Sequence, residues 1–494
     1  MNSNLLMASS QIGFPILSLL IWLPLLGAGA LLLGARTLPA KPLALALCGV
    51  QVVLSLLIVT AFRDDTAALQ FTETMGLYRL GVDGTSLWFL PLTALLCTLA
   101  VLAPDSGRGA SREPGYYVAV LAFAACMHGA FVAVDAVLFV AFFAAEIVPS
   151  AYLIARHGTG EQRHASARQY VTVMVAASTL VGAGLWLASA GSATALPDML
   201  AARLPENAQT LPFLLLLLGF GIKAPLFPLH AWLPRVLEQG PMVGMSVFLV
   251  GLKLGTYGML RFMLPLLPAA SAEWLWLAAT LGVCSLVFGA LIAFVQTNLR
   301  RMLAYASISH VGVVMLGLFS LNLTGMQGAI IQMMSLGLCA AGLFFIAAFL
   351  EARLGHAQAM TVGGLGRSAP WLAASFLVIG LAGVGMPGTS GFNGEHLVMI
   401  GAYKVHWAMA LAVGLGTFLG AAYFLRCYQR AFMGGALATA PVMSDLGLQE
   451  KLVAVAVTAS VLWVGLYTTP IMRTITPTLV ATEALIGHAT APKR

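Results

Sequence analysis

The sequence predicts an all-α integral membrane protein with about 14 transmembrane helices, which include two inverted five-helix repeats that each contain one broken helix. Three observations carry this prediction. The chain is 60% hydrophobic and only 9% charged, whereas soluble domains carry about 25% charged residues. Its apolar stretches approach or exceed the length of about 20 residues that a bilayer-spanning helix needs. Two of these stretches are interrupted by Gly and Pro at corresponding places in the order of spans.

The apolar stretches account for most of the chain. What remains between them is too short for a soluble domain, and the first residues, MNSNLLMASSQIGF, lack the basic region of a cleaved signal peptide. The first stretch is therefore expected to be retained. The stretches cover residues 14–34, 42–62, 85–103, 114–132, 133–155, 169–190, 211–234, 243–265, 274–296, 302–321, 325–350, 372–401, 406–430 and 452–470.

Lys and Arg residues predict how the bundle is oriented. If the N-terminus is outside, the odd-numbered loops carry 15 of the 25 Lys and Arg residues, and the other side carries eight, Arg261 among them. Because loops rich in Lys and Arg stay in the cytoplasm, both termini are predicted to lie outside. The net charge of +7 thus follows from topology, with the lipid bilayer as the expected surroundings and no nucleic acid as a partner.

The sequence also excludes common redox and nucleotide sites. The six cysteines are scattered and form no CxxC or Cys/His cluster, which argues against iron–sulfur, zinc and disulfide frameworks. No GxGxxG follows a strand and no GxxxxGK[ST] occurs, so no nucleotide site is indicated. We expect neither a metal nor a cofactor in this chain.

The two interrupted stretches predict a repeat. GFGIKAPLFPLHAWLP (219–234) contains Pro225 and Pro228, and FLVIGLAGVGMPGTSGFNGEHLVMIGAY (376–403) contains five Gly and Pro residues between 385 and 394. Five spans separate the breaks, and because five is odd, the second unit enters the membrane in the opposite direction. This gives four regions: residues 1–113, the repeats 114–267 and 268–431, and a C-terminal loop, last span and tail at 432–494. The alternative is that Gly and Pro are simply frequent in membrane helices.

Ionisable residues inside apolar spans are costly and are usually functional. Four stand in such spans: Glu146, Lys223, Lys253 and Glu395. Burial disfavours the charged form of each, so a buried group can change its protonation state at modest cost, as a proton relay requires. We predict that Glu146 pairs with Lys223. The alternative is a static ion pair that only fixes helix packing.

The remaining candidates have plainer alternatives. Lys253 can extend its ammonium to an interface, and Glu395 can be an exit group or an interfacial residue. His310 can bridge protons between the halves as a near-neutral titrating group, or it can be structural. His230, which follows the first break, can hydrogen-bond to the backbone groups freed there.

Five segments resemble the antiporter-like subunits of respiratory complex I, a family shared with Mrp cation/proton antiporters and membrane-bound hydrogenases. They are LGVDGTSLWF (80–89), VDAVLFVAFFAAEIVPSAYLIA (134–155), the first broken helix, QTNLRRMLAYASISHVG (296–312) and GMPGTSGFNGE (385–395). With glutamate at position 395, the sequence resembles the M-type subunit of the bacterial complex.

The resemblance implies a proton channel through Glu146, Lys223, Lys253 and Glu395, in a subunit of a proton-translocating NADH:quinone oxidoreductase in a bacterial inner membrane. It implies antiporter-like sibling subunits, with FMN, iron–sulfur clusters and the quinone reaction located in partner subunits. Three positions depart from the family pattern. Arg235 and Asn298 stand where aspartate is usual, and Ser335 stands where histidine is common; a water or hydroxyl chain through Ser335 is one substitute for that step.

Three functions follow from these observations. The first is the proton-translocating subunit described above. The second is a transporter module, namely Mrp-type cation/proton antiport, a membrane hydrogenase or ion-coupled bicarbonate uptake. The third is a membrane scaffold whose channel no longer conducts.

Overall fold

The computed structural model describes residues 13–34, 38–104, 113–191, 194–355, 363–434 and 443–490, and these are mostly helical. Both chain ends lie outside the described residues, so the predicted orientation of the termini stays a prediction.

The helices and strands follow one another closely along the chain. The N-terminal part comprises α1 (Ile16–Leu33), α2 (Ala40–Ala61), β1 (Gln70–Met75), β2 (Tyr78–Val82) and α3 (Phe89–Leu102). The next part comprises α4 (Pro114–Val132), α5 (Ala136–Ala145), α6 (Ile147–His157), α7 (Arg163–Ala188), α8 (Leu196–Ala202), α9 (Thr210–Lys223), α10 (Trp232–Gln239), α11 (Met242–Gly251), α12 (Lys253–Gly258) and α13 (Leu264–Leu266). The last part comprises α14 (Pro268–Glu273), α15 (Leu275–Val295), α16 (Leu299–Leu318), α17 (Leu323–Leu354), α18 (Leu365–Ser368), α19 (Pro370–Gly383), α20 (Ser390–Val405), α21 (Trp407–Phe432), α22 (Leu448–Leu466) and α23 (Thr469–Thr490).

Within the described residues, 11 helical segments are long and apolar enough to cross a membrane, with Ala136–His157 and Met242–Leu266 each counted as one. Three shorter apolar helices, α3, α9 and α19, complete the set. The protein is therefore an integral, multi-pass membrane protein, as predicted. The total of 14 crossings stays a prediction.

Burial divides the helices into an inner and an outer group. Segment 242–266 and residues 325–350 of helix α17 are completely buried, and most residues of α4 and α16 are buried as well. In α1, α2, α7, α15, α21 and α22, fewer than half of the residues are buried. Exposed Leu, Trp and Phe side chains cover the outer helices, for example Trp186 and Phe418. Such a surface suits lipid, and backbone groups bonded within each helix meet the requirement of the bilayer interior.

Both breaks predicted from Gly and Pro occur. Helix α9 ends at Lys223, a short 3-10 helix covers Leu229–Ala231, and α10 then begins. Pro225 and Pro228 lack the N–H that would continue α9. Helix α19 ends at Gly383 and α20 begins at Ser390. Gly385 and Gly388 between them have φ of +75° and +86°, a left-handed conformation that favours glycine.

Two elements were not predicted. Strands β1 and β2 form an antiparallel hairpin, so the fold is not purely helical. The carboxylate of Glu73 in β1 accepts hydrogen bonds from the backbone N–H groups of Leu17 and Ser18 at the start of α1, where a helix favours negative charge. The predicted tail contains helix α23, which packs against α14 and α17.

Arg261 corrects the charge distribution expected from the sequence. The sequence predicts a loop position for this cation, but its side chain is buried in the π-helical turn Met259–Met263 and forms an ion pair with Asp83. The turn that carries Asp83 is held by α23, because Gly84 N donates to the hydroxyl of Thr478 (3.3 Å). A nearby carboxylate thus keeps this cation within the bundle.

Candidate proton-relay site

The predicted pair of Glu146 and Lys223 exists and is buried. The Lys223 ammonium contacts the Glu146 carboxylate, and the two side chains are 2% and 0% exposed. Lys223 is the last residue of α9, so the proline break places the end of the helix, and the charge, inside the bundle. A buried pair of this kind needs further hydrogen bonds to offset the loss of hydration.

Neighbouring side chains supply those hydrogen bonds. The Ser150 hydroxyl donates to Glu146, and the Tyr170 hydroxyl lies 3.2 and 3.3 Å from the two carboxylate oxygens. The Lys223 ammonium is 3.5 Å from the same Tyr170 hydroxyl and 5.4 Å from the centre of the Phe143 ring. These contacts hold both charged groups in place.

Proline also explains the local backbone at Glu146. Helices α5 and α6 meet at this residue, because Pro149 cannot donate to the carbonyl of Ala145 one turn earlier. Gly251 faces the carboxylate from α11, where a Cβ atom would lie 3.2 Å from a Glu146 oxygen. The absence of a side chain there leaves room for the glutamate.

At the first break, a tryptophan and a serine form hydrogen bonds with backbone groups. Trp232 Nε1 donates to the carbonyl of Ile222 (3.0 Å), and the backbone N–H of Phe227 donates to Ser285 Oγ (2.8 Å). The capping role considered for His230 is not seen, since its Nδ1 has no hydrogen-bond partner among the described residues. Its ring stacks on Phe227 instead.

Lys253 is buried and forms no ion pair with any of the described residues. The residue is 1% exposed, and its Nζ has no hydrogen-bond partner within the described part of the chain. The alternative that Lys253 reaches an interface is therefore wrong. Helix α12, which begins at Lys253, packs against α9 and α17. One turn further on, the Thr256 hydroxyl lies 2.9 Å from Met333 Sδ in α17.

The second acidic site contains Glu395 and His310. His310 Nδ1 is 3.6 Å from a Glu395 oxygen, and the two side chains are 10% and 6% exposed. The Thr417 hydroxyl donates to the other oxygen at 2.9 Å, and the Gln332 amide lies 3.4 Å from the first. Tyr423 Oη is 3.3 Å from His310 Nε2. Glu395 is thus buried, which contradicts an interfacial position within this chain.

Ser335 lies close to this second site. Its hydroxyl is 2.8 Å from that of Ser390, the first residue of α20, and both residues are buried. A small cavity of about 30 Å³ adjoins Ser335 and is also lined by His310, Gln332 and Tyr423.

The other two departures lie away from these buried groups. Arg235 is exposed in α10, with Nη1 3.4 Å from Gln169 Oε1. Asn298 is the N-cap of α16, and its side-chain oxygen accepts hydrogen bonds from the N–H groups of Arg300 (2.9 Å) and Arg301 (3.3 Å). An amide oxygen caps a helix about as well as the usual aspartate does.

The structure therefore groups four of the five candidate residues into two buried clusters, and the fifth, Lys253, has no hydrogen-bond partner for its Nζ among the described residues. It adds residues that the sequence analysis missed, namely Ser150, Tyr170, Gln332, Thr417 and Tyr423. Spacing alone could have found Ser150, which is one turn after Glu146 on the same helical face. Among the described residues, no group of three His, Cys, Asp or Glu side chains is arranged to hold a metal ion.

The fold and these buried charges define the class, a multi-pass helical membrane protein with ionisable pairs inside its helix bundle. Residues 133–420 match the family model described as NADH:quinone oxidoreductase/Mrp antiporter, TM, and the chain belongs to this family. The resemblance seen in the sequence motifs is thereby confirmed.

Individual relatives cover nearly the whole chain. NADH-quinone oxidoreductase subunit M of Rhodobacter capsulatus is 32% identical, with 94% of this chain and 95% of the relative covered. NADH-ubiquinone oxidoreductase chain 4 of Marchantia polymorpha is 32% identical, with 91% and 93% covered.

Solved structures agree with this assignment. A chain of respiratory complex I from Thermus thermophilus with bound NADH superimposes with a TM-score of 0.88 at 31% identity, covering 95% of this chain and all of that one. A chain of the Mrp complex from Dietzia sp. DQ12-45-1b gives 0.85 at 22% identity, with 96% and 99% covered, and shares the fold.

Proposed function

We propose that this chain is the proton-translocating membrane subunit of a complex I-like NADH:quinone oxidoreductase, of the subunit M kind. The observation that carries the proposal is the buried ion pair of Glu146 and Lys223 beside a lysine, Lys253, that has no partner among the described residues. The first pair can hold a proton, and an unpaired buried lysine can receive one, because burial makes its neutral form accessible.

In the proposed cycle, Lys223 is charged while it pairs with Glu146. Opening of the pair removes the counter-charge and releases the Lys223 proton towards Lys253. The proton then passes to His310 and Glu395 in the second cluster. Restoring the first pair favours the charged lysine again and reloads the site. The driving step is quinone reduction in partner subunits, which carry FMN and iron–sulfur clusters.

We further propose the architecture that this cycle uses. Residues 114–267 and 268–431 are two five-helix units of opposite orientation, preceded by 1–113 and followed by 432–494. The position of each break in the fourth helix of its unit supports this division. All 14 apolar helices cross a bacterial inner membrane, with both termini outside, and antiporter-like sibling subunits lie alongside.

The decisive variant is Lys223→Ala in the assembled complex, measured as proton uptake by membrane vesicles after addition of NADH and a quinone. We expect proton uptake per electron to be lost. Lys404→Ala is the matched control, because this lysine is exposed and bonded only to Thr324 Oγ1 among the described residues. Normal uptake per electron in Lys223→Ala would refute the channel assignment.

A second variant separates proton exchange from fixed charge. Lys223→Arg keeps a cation beside Glu146 but cannot lose its proton at accessible pH. We expect it to fail as Lys223→Ala does. Full pumping by Lys223→Arg would mean that the site acts as a static ion pair.

Cation/proton antiport is the second candidate, since the family and the fold include Mrp-type chains. Vesicles containing the chain with its native partners distinguish the two functions. Proton movement that requires NADH and quinone supports the first proposal. Exchange driven by a sodium gradient without an electron donor supports antiport.

A further inference from the structure

The small cavity of about 30 Å³ lies among α16, α17, α19 and α21. Its volume suffices for one or two water molecules, because one water needs about 10–15 Å³. Polar residues contribute to its wall: Ser307, His310, Gln332, Ser335 and Tyr423. A buried water needs two to four polar partners, and this wall can supply them.

Two features at the cavity favour proton transfer: a buried oxygen that has no hydrogen-bond partner among the described residues, and a pair of hydroxyls. The side-chain oxygen Oε1 of Gln332 is buried and has no hydrogen-bond partner among the described residues, whereas buried acceptors are normally satisfied by protein or water. The hydroxyls of Ser335 and Ser390 lie 2.8 Å apart, and either can donate. A hydroxyl can accept one proton on a lone pair while it releases its own.

We propose that this cavity binds one or two water molecules, which together with the Ser335–Ser390 hydroxyl pair relay protons to His310 and Glu395. This inference rests on the proposed function. The relay takes the place of the histidine that the family resemblance leads one to expect at position 335. In each hop, one O–H or N–H bond breaks as a bond to the same proton forms on the next atom, so one charge passes through and the hydroxyls are regenerated.

Hydroxyl deletion tests the serine pair. In the assembled complex, we expect Ser335→Ala and Ser390→Ala each to slow NADH-driven proton uptake about tenfold, the factor that corresponds to one buried hydrogen bond. Ser309→Ala is the control, since Ser309 is buried beside His310 but donates to the Leu286 carbonyl (2.8 Å). Ser335→His should restore uptake when Ser390 is also replaced by alanine.

Filling the cavity tests the water separately. Gly383 lines the cavity, and within 4 Å a Cβ atom there would meet, of the described residues, only Cys339 at its Cβ (3.7 Å), an ordinary contact. Gly383→Ala should therefore fold normally and slow proton uptake with both hydroxyls intact. Gly414→Ala, whose added methyl group would meet no atom of the described residues within 4 Å, should leave uptake unchanged. Assembly and thermal stability are measured for every variant.

The outcomes separate this inference from the proposed function. Loss of uptake in Lys223→Ala with normal uptake in the Ser335→Ala/Ser390→Ala double variant would overturn the hydroxyl relay alone. Normal uptake in Lys223→Ala would overturn both. Experimental density for the cavity decides the water directly: ordered water within hydrogen-bond distance of Gln332 or Ser335 supports the relay, and a dry cavity overturns it.

Discussion

Two buried acid–base pairs lie at comparable positions in the two five-helix halves proposed above, residues 114–267 and 268–431. In each half, the second long helical segment carries one member, Glu146 or His310, and the broken helix carries the other, Lys223 or Glu395. The acidic and basic residues exchange places between the halves. The acid is on the second segment in the first half and on the broken helix in the second half.

The two pairs also differ in how tightly they are held. Glu146 and Lys223 are in direct contact, whereas His310 Nδ1 and the Glu395 oxygen are 3.6 Å apart. Both glutamates also receive hydrogen bonds from neutral groups, the hydroxyls of Ser150 and Tyr170 at Glu146 and the Thr417 hydroxyl and Gln332 amide at Glu395. The two pairs therefore differ in the partner of the glutamate, which is a lysine in direct contact at Glu146 and a histidine at a longer distance at Glu395.

The largest expected difference is between Glu146→Gln and Glu395→Gln. Glu146→Gln leaves a buried lysine without its counter-charge, which should cost about 3–5 kcal/mol of stability. Glu395→Gln should cost about 1–2 kcal/mol, because it leaves a histidine, which has an accessible neutral form, in place of a lysine. Thermal unfolding of the assembled complex measures both. Equal losses of stability would show that the two pairs are equivalent. The double variant Glu146→Gln/Lys223→Met should regain stability without regaining proton uptake.

Stability should respond in the opposite direction when Lys253 is replaced. Lys253→Met removes a buried amine that has no partner among the described residues, so we expect the complex to gain about 1–3 kcal/mol of stability while proton uptake is lost. Thermal unfolding and vesicle uptake are measured on the same preparation. Destabilisation by this substitution would instead indicate that Lys253 has a stabilising partner in the complex.

Glycines beside the two glutamates should sharpen the comparison further. Gly385 has φ +75°, and a Cβ there would lie 2.5 Å from a Glu395 oxygen, so Gly385→Ala should cost about 1–2 kcal/mol from backbone strain alone. At Gly251, the 3.2 Å approach to Glu146 is offset by the helix preference of alanine, about 1 kcal/mol. Similar losses of stability in the two variants would contradict this ranking.

The smallest effects are expected at the tyrosines. Tyr170→Phe removes one hydroxyl from Glu146 and Lys223, and Tyr423→Phe removes one from His310. Each should cost about 1 kcal/mol, and uptake should fall more in Tyr170→Phe because its hydroxyl contacts both charges. A greater fall in Tyr423→Phe would make the second pair the more demanding step.

The residues that could be predicted from the sequence are those that are unusual within an apolar span. Lys223 and Lys253 stand out as cations in apolar spans, and Pro225 and Gly385 interrupt such spans, so each could be found without a structure. The pairing of Glu146 with Lys223 was predicted from charge alone and is confirmed.

Contacts between distant helices were not predictable. Tyr170 and Thr417 look like ordinary residues of their helices, and only the packing of those helices brings them to the glutamates. Asp83 and Arg261 were each visible, but nothing in the sequence indicated that they pair. Helix α23 was missed because its threonines and prolines lower its apolar character. The hairpin had a local signal in the Met75-Gly76 turn between residues typical of strands.

Trp232, which forms a hydrogen bond with the backbone at the first break, can serve as a fluorescent probe of Lys223. Trp232 Nε1 donates to the carbonyl of Ile222, the residue before Lys223, and its indole ring packs against Tyr170 at 5.6 Å. Indole fluorescence responds to hydrogen bonding and to nearby charge. In a chain whose eight other tryptophans are replaced, changes in emission during turnover would follow opening of the Glu146–Lys223 pair in real time.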